Sequence, residues 1–214
     1  MAQYIMQLWS PIRRIVVLGD SCVGKTALAN QLRDETFIQK YIPTMERSMT
    51  RTQISVKDQS YRLEVLDIAG SLDLQDDGKL EKVGIQKMDG IVLVYDITSR
   101  KSFDRIEYLH RRIREIKSQG TSDSVVPSQT MPPVVIVGNK NDMVPDRVIS
   151  LKEGLELAER LGCMFDDTSA TNYEGALRVF EKVVKEWVES DSLGDYTRTS
   201  LLGGGSTDGC CVIM

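Results

Sequence analysis

The residues Gly19-Asp20-Ser21-Cys22-Val23-Gly24-Lys25-Thr26 constrain this chain more than any other stretch of its 214 residues. They follow Arg14-Ile15-Val16-Val17-Leu18, a continuous apolar run of the kind that forms a strand buried on both faces. They precede Thr26 to Arg33, whose composition is helical. A G-x-x-x-x-G-K-[ST] pattern in that position is a phosphate cradle. Its glycines let backbone N–H groups curl around phosphate oxygens, and the helix N-terminus adds a positive dipole. Lys25 reaches the outer phosphates and Thr26 offers a hydroxyl to magnesium. The bland alternative, a glycine turn with a solvated lysine, does not account for the flanking strand and helix. Gly19, Asp20, Ser21, Cys22, Val23, Gly24, Lys25, Thr26 and Ala27 are therefore the first candidate binding residues.

The rest of the chain repeats the alternation of strand and helix. Phe37 to Arg47, containing Pro43, reads as a loop. Ile54 and Val56, then Tyr61, Leu63 and Val65, alternate with polar residues across Asp58-Gln59-Ser60, which predicts an antiparallel hairpin closed by Leu66-Asp67. Gly90 to Ile97 and Val134 to Val137 are further buried strands. Between them Phe103, Ile106, Leu109, Ile113 and Ile116 fall at helical spacing, followed by a Ser-, Thr- and Pro-rich loop from Gly120 to Pro133. Ser150-Leu151-Lys152-Glu153 is a capping box that opens a helix stopped by Gly162. A last helix runs from about Glu174 to Val188, with Leu177, Phe180, Val184, Trp187 and Val188 as its apolar stripe.

This order predicts an α/β fold of the P-loop NTPase type: a mostly parallel six-stranded sheet with one antiparallel edge strand and helices on both faces, its ligand at the strand C-terminal ends. Residues 1–11 read as an N-terminal extension, 12–188 as the domain, and 189–214 as a flexible tail rich in Ser, Gly, Thr and Asp.

Composition removes several classes of function. At 41% hydrophobic and 27% charged the chain is globular in composition, and its longest apolar runs fall far short of the ~18 residues of a membrane span. A net charge of −4 disfavours a nucleic-acid partner, which needs a basic face. Met1 to Pro11 carries no basic residue and no cleavable apolar stretch, and Ala2 is not the glycine that myristoylation needs, so the reducing cytosol is the expected compartment.

A second motif, Asn139-Lys140-Asn141-Asp142, follows a buried strand. Alone it is weak, and a helix-capping Asx cluster is its ordinary reading. Joined to the phosphate cradle it becomes a base reader, because the Asp142 carboxylate can accept from both the N1–H and the exocyclic amine of guanine. Adenine has no matching donors.

With these motifs in place the chain resembles a Ras-superfamily small GTPase from about Arg14 to Val188. Asp67-Ile68-Ala69-Gly70 resembles the family's magnesium- and γ-phosphate-sensing turn, and Tyr41-Ile42-Pro43-Thr44 its first switch loop. Thr168-Ser169-Ala170-Thr171 resembles its last base-binding loop, and Phe37 its base-edge aromatic. The resemblance implies GTP and GDP as bound nucleotides with Mg2+ as cofactor, and Thr26, Thr44 and Asp67 holding the metal. It implies that Lys25, Thr44, Gly70 and Ser71 surround the reacting phosphate, with Ser169, Ala170 and Thr171 beside the base. Release of both switch loops on hydrolysis would make the protein a switch, working as a monomer with an exchange factor, a GTPase-activating protein and effectors as partners.

The sequence departs from that family in places. Ser71 stands where the family carries the glutamine that orients the attacking water, and a hydroxyl on one carbon lacks that reach, so slow hydrolysis is expected. The effector loop, Tyr41, Pro43, Thr44, Met45, Glu46, Arg47, Ser48 and Met49, has Arg47 in place of an acid and Met49 in place of an aromatic, which opposes docking of basic-edged Ras effectors. The segment Ser71 to Gly90 is longer than the family's second switch.

Cys211-Val212-Ile213-Met214 fits C-a-a-X with a farnesyl-type terminal Met, and Cys210 is a palmitoylation candidate that would supply the second membrane signal. These signals predict attachment through a prenyl anchor to the cytoplasmic face of a membrane, the plasma membrane being expected. Two readings compete with the switch: a GTP-binding interaction module deficient in hydrolysis and, more distantly, a P-loop kinase. His110 reads as a surface residue, and Arg105, Arg111, Arg112, Arg114 and Lys117 as a solvated helix face.

Overall fold

The computed structural model describes the backbone of residues 12–35, 48–68, 80, 84–118 and 131–202, with side chains as far as residue 190. Strand β1 (Arg13–Leu18) leads through the glycine-bearing turn into helix α1 (Lys25–Asp34). The hairpin β2 (Ser48–Val56) and β3 (Gln59–Asp67) follows, then β4 (Gly90–Asp96), α2 (Arg100–Ser118), β5 (Val134–Asn139), α3 (Leu151–Leu161), β6 (Met164–Asp167) and α4 (Tyr173–Leu202). They build a six-stranded sheet in the order β2-β3-β1-β4-β5-β6, in which only β2 runs antiparallel to its neighbour. The expected α/β architecture with one antiparallel edge is therefore present.

The period of two along each buried strand sorts its residues between two cores. Ile15 and Val17 of β1, Val92 and Val94 of β4, and Val135 and Val137 of β5 join Leu28 and Leu32 of α1 and Val179, Phe180 and Val183 of α4 in one cluster. The alternate residues Val16, Leu18, Ile91, Leu93, Tyr95 and Ile136 pack against Ile106, Leu109 and Ile113 of α2 and Leu157 of α3 in the other. Helices α1 and α4 thus cover one face and α2 and α3 the opposite one. Each fully buried aliphatic side chain contributes about 1.5 to 3 kcal/mol. At the sheet's far end the Arg13 guanidinium lies 3.1 Å above the Trp187 ring, and Tyr61 meets the same ring edge-on.

The capping box forms as the sequence predicts: Ser150 Oγ accepts from the Glu153 N–H while the Glu153 carboxylate accepts from the Ser150 N–H. Gly162, at φ +67°, ends α3 in the left-handed conformation that glycine adopts without strain. Several expectations need correction. Strand β6 has no sequence signature, because it is four residues long and buries only Asp166 well. The last helix does not stop at Val188, and its backbone continues to Leu202 through the segment read as tail. No proline interrupts that stretch, Gly194 alone costs a helix only about 1 kcal/mol, and the next glycine run begins at Gly203. His110 is 5% exposed rather than superficial, since it lies four residues after Ile106 on the inward side of α2. Lys117 likewise leaves the solvated face to donate to the Gln86 and Met88 carbonyls. The Gly120 to Pro133 loop lies outside the described residues up to residue 130. No described helix is long and apolar enough to cross a membrane.

Candidate functional site

Among the described residues, the turns that follow β1, β5 and β6 meet at the C-terminal ends of the parallel strands. The first is the turn from Gly19 to Gly24, which joins β1 to α1. Gly19 sits at φ +149° with its missing Cβ only 2.1 Å from the Val94 carbonyl oxygen, so any side chain there would strike β4. Gly24, at φ +96°, caps α1, and a Cβ would fall 2.1 Å from Asn139 Nδ2. Both glycines of the motif are therefore fixed by contact as well as by backbone conformation. Ser21 and Cys22 lie exposed on the rim, Cys22 in the left-handed region at φ +63°, while Val23 is buried beneath them. Asp20 faces Arg105 of α2, its carboxylate 4.0 Å from Nε.

Beneath this turn lie the charges that would meet a phosphate. Lys25 is 6% exposed and its Nζ donates to the Asp20 carbonyl at 2.6 Å. Thr26 Oγ1 donates to Asp67 Oδ2 at 2.5 Å, which joins the start of α1 to the end of β3. Asp67 is 1% exposed and its other oxygen, Oδ1, is buried with no hydrogen-bond partner among the described residues. Burial lowers the Lys25 pKa despite the raising influence of Asp67 and Asp20. Burial also raises that of Asp67, against the Thr26 hydrogen bond and Lys25. A phosphate anion beside Lys25 and a dication beside Asp67 would each favour the charged form and oppose these shifts. A hydroxyl and a carboxylate with an orphaned buried oxygen are hard donors of the kind magnesium takes, so Thr26 and Asp67 fit that ion.

The base-loop residues are tied to one another and to the phosphate turn. Asn139 is 1% exposed; its Nδ2 donates to the Val23 carbonyl at 2.7 Å and its Oδ1 accepts from the Ala170 N–H at 2.9 Å. Asn141 Nδ2 donates to the Asp167 carbonyl at 3.0 Å and its own N–H to Thr168. Ser169 Oγ donates to Asp142 Oδ1 and accepts from the Thr171 N–H at 3.1 Å. Asp142 and Thr171 are exposed, whereas Ser169 and Ala170 are buried. The carboxylate at Asp142 is thereby steered by Ser169 and left open to solvent, as a reader of base edges needs.

These contacts assemble Gly19 to Ala27, Asp67, Asn139, Lys140, Asp142 and Ser169 to Thr171 around one end of the sheet. Ser48 and Met49, expected in the effector loop, open β2 and pair with Asp67 and Leu66, and Met49 is 52% exposed. Phe37, Tyr41, Pro43, Thr44, Met45, Glu46, Arg47, Gly70, Ser71, Cys210 and Cys211 lie outside the described residues. Sequence reading missed Asp96, at the end of β4, whose Oδ2 accepts from Lys140 Nζ at 2.6 Å. The signal available was an acid closing an otherwise apolar strand. It also missed Arg147, which pairs with Asp167 at 2.8 Å and braces the Asn141 loop.

Comparison with known proteins agrees with this arrangement. The profile of the Ras family matches residues 14–189. The chain is 39% identical to Protein ras-2 of Neurospora crassa, over 91% of this chain and 87% of that protein. It is 37% identical to Ras-like protein 1 of Pyricularia oryzae, over 92% and 86%. It is 40% identical to Ras-like protein B of Aspergillus fumigatus, over 80% and 76%.

Proposed function

The chain belongs to the Ras family of small GTPases, and from that premise we propose that it is a magnesium-dependent signalling switch that hydrolyses GTP slowly and is held on a cytoplasmic membrane face by a C-terminal lipid. The observation that carries the reading is the Asn139 side chain, which ties the phosphate turn at Val23 to the base loop at Ala170, so that phosphates and base are recognised by one connected unit.

In this reading the N–H groups of residues 20–26 and the Lys25 ammonium hold the phosphates. The Asp142 carboxylate accepts from guanine, with Phe37 against its edge. Thr26, Thr44 and Asp67 hold magnesium, which when bound supplies positive charge to the phosphate oxygens that gain charge as the terminal bond breaks. Gly70 donates its N–H to the terminal phosphate, and Ser71, one carbon long, orients water poorly. Loss of the terminal phosphate frees the loops of Thr44 and Gly70, which changes the surface that effectors read. Arg47 and Met49 direct that surface away from partners with a basic strand edge. Cys211 carries the prenyl group and Cys210 the second lipid.

The test is single-turnover conversion of protein-bound GTP to GDP in the full chain with magnesium, beside Ser71→Gln. The reading expects slow conversion by the unaltered chain and a clear acceleration by Ser71→Gln. Equal rates would remove Ser71 as the cause of slowness. Complete retention of GTP by both proteins would favour a GTP-binding interaction module over a timed switch.

A further inference from the structure

Of the residues in Asn139-Lys140-Asn141-Asp142, three are tied toward the phosphate turn or the β6 side of the site. Lys140 is tied the other way. Its backbone stands in the left-handed region at φ +68°, which a lysine adopts against its preference, and its Nζ reaches 2.6 Å to Oδ2 of Asp96 on the neighbouring strand. Asp96 is 8% exposed and its carboxylate is itself aimed. Oδ1 accepts from the Thr98 N–H at 2.8 Å and from Thr98 Oγ1 at 2.7 Å. The backbone around it is equally fixed, since the Asp96 N–H donates to Ser102 Oγ and the Ile97 N–H to the Asn139 carbonyl. Asp96 and Asn139 are register partners on β4 and β5. Hydrogen bonds from Lys140 and Thr98 outweigh the effect of burial and hold the Asp96 carboxyl below its ordinary range. A charged acceptor prepared in this way, opposite a strained turn of the ligand loop, has a purpose beyond closing the strand.

We infer that Asp96 is a positioning residue for nucleotide retention: through Lys140 it holds the left-handed turn that presents Asn139 and Asp142 to the nucleotide. The inference rests on the guanine-nucleotide reading above. It assigns Asp96 no contact with the ligand, so its effect must pass through Lys140.

That requirement makes a double-mutant cycle the test. Dissociation of fluorescently labelled GDP is measured on the full-length chain, Asp96→Asn, Lys140→Met and the double variant. Asp96→Asn keeps an acceptor for Thr98 and removes the charge facing Lys140. It should release nucleotide about tenfold faster or more, the scale of a lost charge-assisted hydrogen bond. The double variant should release no faster than Lys140→Met alone. Thr98→Val, which keeps the Asp96 charge and removes one of its anchors, should raise the rate by a smaller factor that also vanishes in the Lys140→Met background. This second variant keeps the test open if Asp96→Asn fails to fold. Effects that multiply in the double variants, or release from folded Asp96→Asn at the unaltered rate, overturn the role of Asp96. Failure of the unaltered chain to take up labelled GDP at all would overturn the nucleotide reading instead.

Discussion

Asn139 Nδ2 donates to the carbonyl oxygen of Val23 at 2.7 Å, joining residues 116 positions apart in the chain. The same amide accepts from Ala170, so one side chain sets the distance between the phosphate turn and the base loops. Asn139→Ala would leave the Val23 carbonyl and the Ala170 N–H without these partners, and a buried group so orphaned costs about 1 to 3 kcal/mol. Asn139→Ala is expected to lower stability by an amount in that range and to speed GDP release at least tenfold, read by urea unfolding and by nucleotide dissociation. Release at the unaltered rate would mean that the two loops hold their relation without this bridge.

In the proposed function Asp142 sets the choice of base. Its carboxylate, steered by Ser169, offers acceptors to guanine; an amide in its place offers a donor to the 2-oxo group of xanthine. Asp142→Asn is expected to shift the GDP-to-XDP preference by about tenfold or more toward xanthine, because recognition lost here leaves polar groups unpaired. Competition of the two diphosphates against labelled GDP measures it. An unchanged preference would count against Asp142 as the base reader.

Stability should fall in acid partly through Glu153. Hydrogen bonds from the Ser150 backbone, from Arg100 and from the Ser150 hydroxyl depress its carboxyl pKa from 4.5 to about 2. A folded-state pKa below the unfolded one gives stability that is present above about pH 4.5 and lost as the pH falls toward about 2. Glu153→Gln should therefore show a flatter loss of stability over that window than the unaltered chain. Unfolding midpoints in urea at pH 6, 4 and 3 provide the comparison, and parallel curves would exclude the capping box as a source of acid sensitivity.

Membrane attachment depends on Cys211 in the proposed function. Cys211→Ser is expected to move the protein from the membrane to the soluble fraction of cells. Cys210→Ser, which leaves one lipid, should weaken attachment without abolishing it, as a single chain binds a bilayer only marginally. Undiminished membrane recovery of Cys211→Ser would sink the lipid assignment.

Much of the candidate site was legible because its parts are local. The cradle from Gly19 to Thr26 is one turn between a strand and a helix, and Ser150 with Glu153 lie within one turn of each other. Spacing along the chain reports such features directly. His110 was misread because helical spacing alone does not say how wide a face the sheet will cover. Strand β6 was counted in the six-stranded sheet but given no position, because it is four residues long, is anchored by β5 and α4, and draws Asp166 inward to Arg178 and Lys182.

The sequence by itself determined that apolar strands alternate with amphipathic helices, that a glycine-bearing turn joins β1 to α1, and that α3 is capped by Ser150 and stopped by Gly162. Periodicity, caps and turn chemistry act over a few residues, so the order of residues contains them. Only the tertiary structure decided that β1 lies between β3 and β4, that Thr26 meets Asp67, and that Lys140 turns to Asp96 across 44 positions. Those relations follow from strand order and register. They depend on which surfaces pack together once the chain has folded, and no local pattern encodes that.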